Sequence, residues 1–164
     1  MKVFVYGTLR MGSCRDHRLP GNRQIAVLKG YELHQMAGAD FPYIAENPEG
    51  FVLGELVEVP SNKATKVLER LDAIEGHPHF YMREEVVVTP VHINPGPPGT
   101  FHVSHECWTY TMPRHRQHDG GLIPSGDFFD FPGNLQHRER AFGTTFLQAY
   151  KGRHPCPGCK TTNE

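Results

Sequence analysis

The sequence predicts an α+β fold in which strands dominate. Three observations carry this. Short apolar runs of strand length recur along the chain. Its 164 residues include 14 Pro and 17 Gly, enough punctuation for many turns. One segment alone, residues 61–76, has a clean helical period.

In chain order, residues 2–6 form the first expected strand and 25–33 the second, interrupted by Gly30. Residues 41–45 carry Pro42 and are read as an edge or a loop. Residues 51–59 make a strand whose apolar run is broken by Glu55 and Glu58. Residues 84–93 and 101–110 read as a hairpin across the Pro- and Gly-rich turn 94–99. The polar stretch 112–121 reads as a loop, and 122–131 as a last returning strand. A helix is expected beyond Pro132, with Phe142, Thr145, Phe146 and Ala149 on one face.

Bulk properties exclude several classes. Net charge is −1 with His neutral, so there is no basic field for nucleic acid. No run approaches the ~18 apolar residues of a membrane span. The first strand begins at Lys2, which leaves no room for a signal peptide. Four irregularly spaced Cys do not form a secreted disulfide framework, so a cytoplasmic location is expected.

Within 61–76, Ser61 is the candidate N-cap and Gly76 the candidate C-terminal residue. At ~100° per residue, Ala64, Val67, Leu68, Leu71 and Ile74 form one stripe, and Glu75 falls near its middle, at about 20° from Ala64. A carboxyl there needs a reason. Desolvation and the negative end of the helix both disfavour its charged form and raise its pKa, which suits general acid–base work. The bland alternative is a frayed helix end with Glu75 in water. The first strand, meanwhile, runs into Gly7-Thr8-Leu9-Arg10-Met11-Gly12, a turn whose backbone N–H groups can bind an anion. A cradle plus one isolated carboxyl points to proton transfer on a small anionic substrate. Ser13 and Cys14 follow the loop without a recognisable base, so covalent catalysis is the weaker option.

Three motifs together resemble a known family. Tyr6-Gly7-Thr8-Leu9-Arg10-x-Gly12 resembles the signature loop of the γ-glutamylcyclotransferase-like family, which includes the γ-glutamylamine cyclotransferases and AIG2-like proteins. Leu71-Asp72-x-x-Glu75-Gly76, followed by Tyr81-x-Arg83, resembles its second signature. Ile123-Pro124-Ser125-Gly126-Asp127-Phe128 resembles a late segment in which many members carry Trp in place of Phe128. Order and spacing agree over residues 1–131. The resemblance implies a small mixed β-barrel flanked by helices, with residues 132–164 as a C-terminal extension. It implies a cofactor-free cyclotransferase. The 6–10 loop (Tyr6, Gly7, Thr8, Leu9, Arg10) would hold the α-carboxylate of a γ-glutamyl group, and Glu75 would shuttle a proton while the substrate amine closes 5-oxoproline. Asp16 departs from the family, lying where several relatives have Asn. Its charge would weaken carboxylate binding unless paired, with Arg15 or Arg18 the candidates.

Other residues keep two readings. Tyr81 and Arg83 line the pocket, or Arg83 is a strand residue with its charge in solvent. Tyr110 bonds substrate or Glu75, or belongs to the core. Asp127 reads as a turn acceptor. His154, Cys156 and Cys159 offer part of a zinc site, to be completed by Cys107, Cys14 or His137, but a second CxxC is absent. The expected partner is a small γ-glutamyl substrate, with no nucleic acid and no membrane. The rival is a non-catalytic module binding a small anion or a partner on the same scaffold.

Overall fold

The computed structural model describes residues 1–91 and 103–131. Its elements are β1 (Lys2–Val5), β2 (Asn22–Met36), β3 (Pro42–Glu58), α1 (Ala64–Glu75), β4 (Met82–Pro90), β5 (His105–Thr111) and β6 (Asp119–Leu122). The strands run in the order β3-β1-β5-β4-β2, and β2 pairs with β3 again, which closes a five-stranded ring; β6 adds to β2 outside it. The β1–β5 pair is parallel and the others are antiparallel, so the barrel is mixed. Closure removes the open edges that a sheet of this size would expose.

The two-residue period of β1 divides the core. Phe4 and Tyr6 join a cluster drawn from all five ring strands, including Leu28, Val52, Leu56, Val88 and Cys107. Val3 and Val5 face the other way, against Val67 and Leu71 of α1 and against Tyr81 and Tyr110. Burying apolar area on both faces at ~25 cal/mol per Å² is what holds the helix to the barrel wall. Within α1, Val67 and Leu71 are buried and Ala64, Leu68 and Ile74 half-buried, as the stripe predicts.

Four readings change. The segments 41–45 and 51–59 are one strand, β3. Pro42 starts it, where no ladder N–H is required, and Asn47, Pro48, Glu49 and Gly50 form a bulge opposite Gly30, whose φ is +84°. Ser61 does not cap α1; residues Ser61–Lys63 form a 3₁₀ turn, and Lys63 precedes the helix without a side-chain cap. Gly76 does end it, at φ +64°, with its N–H donated to the Asp72 carbonyl. The last strand is not 122–131. It is β6, whose first three residues lie in the stretch read as a loop. Residues Phe128–Asp130 turn as a 3₁₀ helix, because the Asp127 carboxylate accepts the Phe129 N–H and Phe128 and Phe129 are both buried in the barrel cluster. The 84–93/101–110 hairpin is present as β4 and β5, with Val88 opposite His105. Its turn, the expected helix after Pro132 and the Cys156/Cys159 tail lie outside the described residues.

Candidate active site

The site begins where β1 ends. Gly7 packs so closely on Pro42 that a Cβ would lie 2.8 Å from its Cγ, so only glycine allows this approach. Beyond it the chain turns back on itself. The Arg10 N–H donates to the Gly7 carbonyl (3.0 Å), the Ser13 N–H to that of Arg10 (3.0 Å) and the Arg15 N–H to that of Thr8 (3.0 Å). Side chains clamp the rear of this loop. Both Glu55 oxygens accept the Met11 N–H at 3.0 Å. Arg23 donates to Glu55 (2.7 Å) and to the carbonyls of Leu9 (2.9 Å), Asp16 (3.0 Å) and Leu19 (2.8 Å). Arg10 is 1% exposed. It donates to Asp127 at 2.6 Å and lies 4.2 Å from the centre of the Phe129 ring.

Two amides escape this clamp. Thr8 and Leu9 are buried, yet neither donates its backbone N–H to another described residue. Buried amides are almost always paired, so an unpaired pair can take an acceptor from outside the chain. Both residues line a cavity of about 140 Å³. That is the scale of an engineered apolar cavity of about 150 Å³ that holds benzene, room for a small molecule. Also lining it are Tyr6, Gly7, Arg15, Phe41, Pro42, Ile74, Glu75, Phe80, Tyr81 and Tyr110.

Glu75 is half-buried at the end of α1, and no hydrogen bond from a described residue engages its carboxyl. Burial pushes its pKa up to about 7; the positive charge of Arg15 pulls the other way and does not cancel it. This is a carboxyl poised to take and return a proton near neutrality. The three tyrosines are held by their hydroxyls. Tyr6 donates to the Tyr110 carbonyl (2.6 Å), Tyr81 to the Pro42 carbonyl (2.6 Å) and Tyr110 to Asp72 (2.7 Å). Burial raises the pKa of all three well above the usual phenol, so they stay neutral. With each proton committed, their lone pairs are left to accept.

The structure therefore brings together Tyr6, Gly7, Thr8, Leu9, Glu75, Tyr81 and Tyr110. It separates two expected residues from them. The Arg10 side chain lies behind the loop and its amide is spent on Gly7. Arg83 pairs with Asp72 and lies 5.2 Å from the centre of the Trp108 ring, outside the cavity lining. Asp127 is a structural acceptor, as read. Asp16 is tied by the Gly12 N–H at 2.9 Å rather than by Arg15 or Arg18. Sequence reasoning missed Arg15 as a lining residue and Asp72 as the anchor of Tyr110. Asp72 at the margin of the helical stripe was the available signal; Arg15 had none. His154, Cys156 and Cys159 are outside the described residues. Among those described, no three His, Cys, Asp or Glu side chains gather as a metal site, and no helix is long and apolar enough to cross a membrane.

The fold and this cavity define a cyclotransferase-like barrel enzyme, and sequence comparison gives the family. The model for "Gamma-glutamyl cyclotransferase, AIG2-like" matches residues 3–130, and the chain belongs to that family. A provisionally named gamma-glutamylcyclotransferase from Methanocaldococcus jannaschii is 33% identical over 133 residues, covering 80% of this chain and 98% of that protein. The crystal structure of a mouse AIG2-like protein is 25% identical, with a TM-score of 0.52 over 77% of this chain and 92% of that one. A yeast γ-glutamyl cyclotransferase specific to glutathione shares the fold at 13% identity, with a TM-score of 0.55 over 90% of this chain and 94% of that one.

Proposed function

We propose that the cavity converts γ-glutamyl compounds into 5-oxoproline and a free amine. The Thr8 and Leu9 amides hold the substrate α-carboxylate. Glu75 takes a proton from the α-ammonium, and the freed amine attacks the γ-carbonyl carbon of the same molecule. A C–N bond closes the five-membered ring, Glu75 passes its proton to the departing nitrogen as the original amide C–N bond breaks, and the second proton shed by the ring nitrogen leaves with the amine, which departs as its ammonium ion. Nothing is oxidised and no water is consumed. The reaction is already intramolecular, so holding amine and carbonyl in contact supplies much of the rate. A pKa near 7 lets one carboxyl serve in both directions at neutral pH.

One observation carries the reading: two buried residues with undonated amides and a carboxyl that accepts no hydrogen bond and has a raised pKa line the same small cavity. The test is incubation with γ-glutamylamines, γ-glutamyl dipeptides and glutathione, with 5-oxoproline measured directly. Turnover by the native chain and its loss in Glu75→Gln support the mechanism. Binding without 5-oxoproline would make the protein a small-anion receptor instead.

A further inference from the structure

Arg15 is the one cation among the residues lining the cavity. Arg10, Arg23, Arg83 and Arg114 each face a carboxylate, whereas Arg15 forms no ion pair among the described residues. Its only side-chain hydrogen bond is a long one, 3.4 Å to the Thr8 hydroxyl. Its backbone N–H is fixed on the Thr8 carbonyl, so the side chain starts from a defined point of the loop. Unlike Thr8 and Leu9, which are 8% and 4% exposed, Arg15 is exposed. The cavity is thus lined by two buried residues with undonated amides, a half-buried acid and an exposed guanidinium without an ion pair among the described residues.

We propose that Arg15 receives a second carboxylate, carried by the leaving group, so that the favoured substrates are γ-glutamyl-α-amino acids rather than γ-glutamyl derivatives of plain amines. The inference rests on the cyclisation reading above. With the α-carboxylate on the buried amides and the α-ammonium at Glu75, the part of the substrate beyond the scissile amide leads toward the rim. An amino-acid leaving group places its carboxylate there, and a guanidinium binds it through two parallel N–H···O bonds. Each of the three substrate charges then meets its complement. A plain amine leaves Arg15 unused.

The test is a matched pair of substrates, γ-glutamyl-alanine and γ-glutamyl-ethylamine, which differ by that carboxylate alone. For the full-length chain, kcat/KM for 5-oxoproline release is expected to favour γ-glutamyl-alanine by at least about tenfold, within the range of one charge-assisted pair. In Arg15→Gln the preference should fall to near unity, with Arg15→Lys between. Losing the Arg15 charge also moves the Glu75 pKa, but that acts on both substrates alike and cancels in their ratio. Equal rates in the native chain, a preference that survives Arg15→Gln, or a loss that falls equally on both substrates would overturn the proposal; the last would put Arg15 on the α-carboxylate. If the native chain releases 5-oxoproline from neither compound, the cyclisation reading fails. The same ratio is then read from calorimetric dissociation constants, where a preference abolished by Arg15→Gln still supports the carboxylate contact and its absence refutes it.

Discussion

Two glutamates stand on opposite duties around one loop. Glu55 sits behind it, 4% exposed, and is fully engaged by Arg10, Arg23 and the Met11 amide. Glu75 lines the cavity in front with no hydrogen-bond partner and a pKa near 7. The same side chain is made structural by opposite charges and amides, and keeps its proton to near neutrality where burial outweighs the pull of one arginine. The partitioning extends to the backbone. The Met11 and Gly12 N–H groups are consumed by carboxylates, while those of Thr8 and Leu9 are donated to no described residue. The two amides stay free while the residues next to them are tightly anchored.

The largest expected effect breaks the reactive half. Glu75→Gln should lower 5-oxoproline release by about 10³-fold, the range of lost acid–base catalysis, while substrate still binds by calorimetry. Next, Glu55→Ala should cost roughly 3–5 kcal/mol in denaturant unfolding, because it takes from the buried Arg23 guanidinium its carboxylate, from Arg10 one of two, and from the Met11 amide its acceptor. If Glu55→Ala proved neutral in stability and Glu75→Gln unfolded the protein, the contrast between the two would be void.

The pH dependence sharpens the comparison. Glu75 holds its proton more tightly folded, with a pKa of about 7, than in an unfolded chain near 4.5. The folded state therefore binds more protons between those values. Stability from this group is full below about pH 4.5 and falls as pH rises toward 7, by about 3 kcal/mol in all. Thermal unfolding across pH 4.5–8 should show this slope in the native chain and lose it in Glu75→Gln, which becomes the more stable protein at pH 8. Activity should move the opposite way, with kcat/KM rising through pH 7 as the base form appears. The smallest effect is Gly76→Ala. A Cβ at φ +64° costs about 1 kcal/mol and would sit 3.0 Å from the Phe80 Cβ, lowering Tm by several degrees and disturbing the helix end that aims Glu75.

Most of the barrel was legible because its strands bury one residue in two, and α1 because its stripe is regular. Glu75 stood out as the one carboxyl inside that stripe. The 122–131 stretch misled because Phe128 and Phe129 are consecutive and both buried, a pattern that a plug shares with a fully buried strand. Arg15 and Arg83 exchanged places relative to expectation for a different reason. What an arginine faces depends on which carboxylate lies within reach, and Asp72 reaches Arg83 only once α1 packs on the barrel. Long flexible side chains are assigned by tertiary neighbours, not by local pattern.

The ring is closed by its first strand. Val3 of β1 lies beside Trp108 of β5, and Arg10 meets Asp127 across 117 positions of chain. During synthesis at about 5–20 residues per second, the loop that frames the cavity therefore leaves the ribosome seconds before Asp127 is made. A nascent chain truncated before Asp127 would carry the signature loop without the carboxylate that holds Arg10.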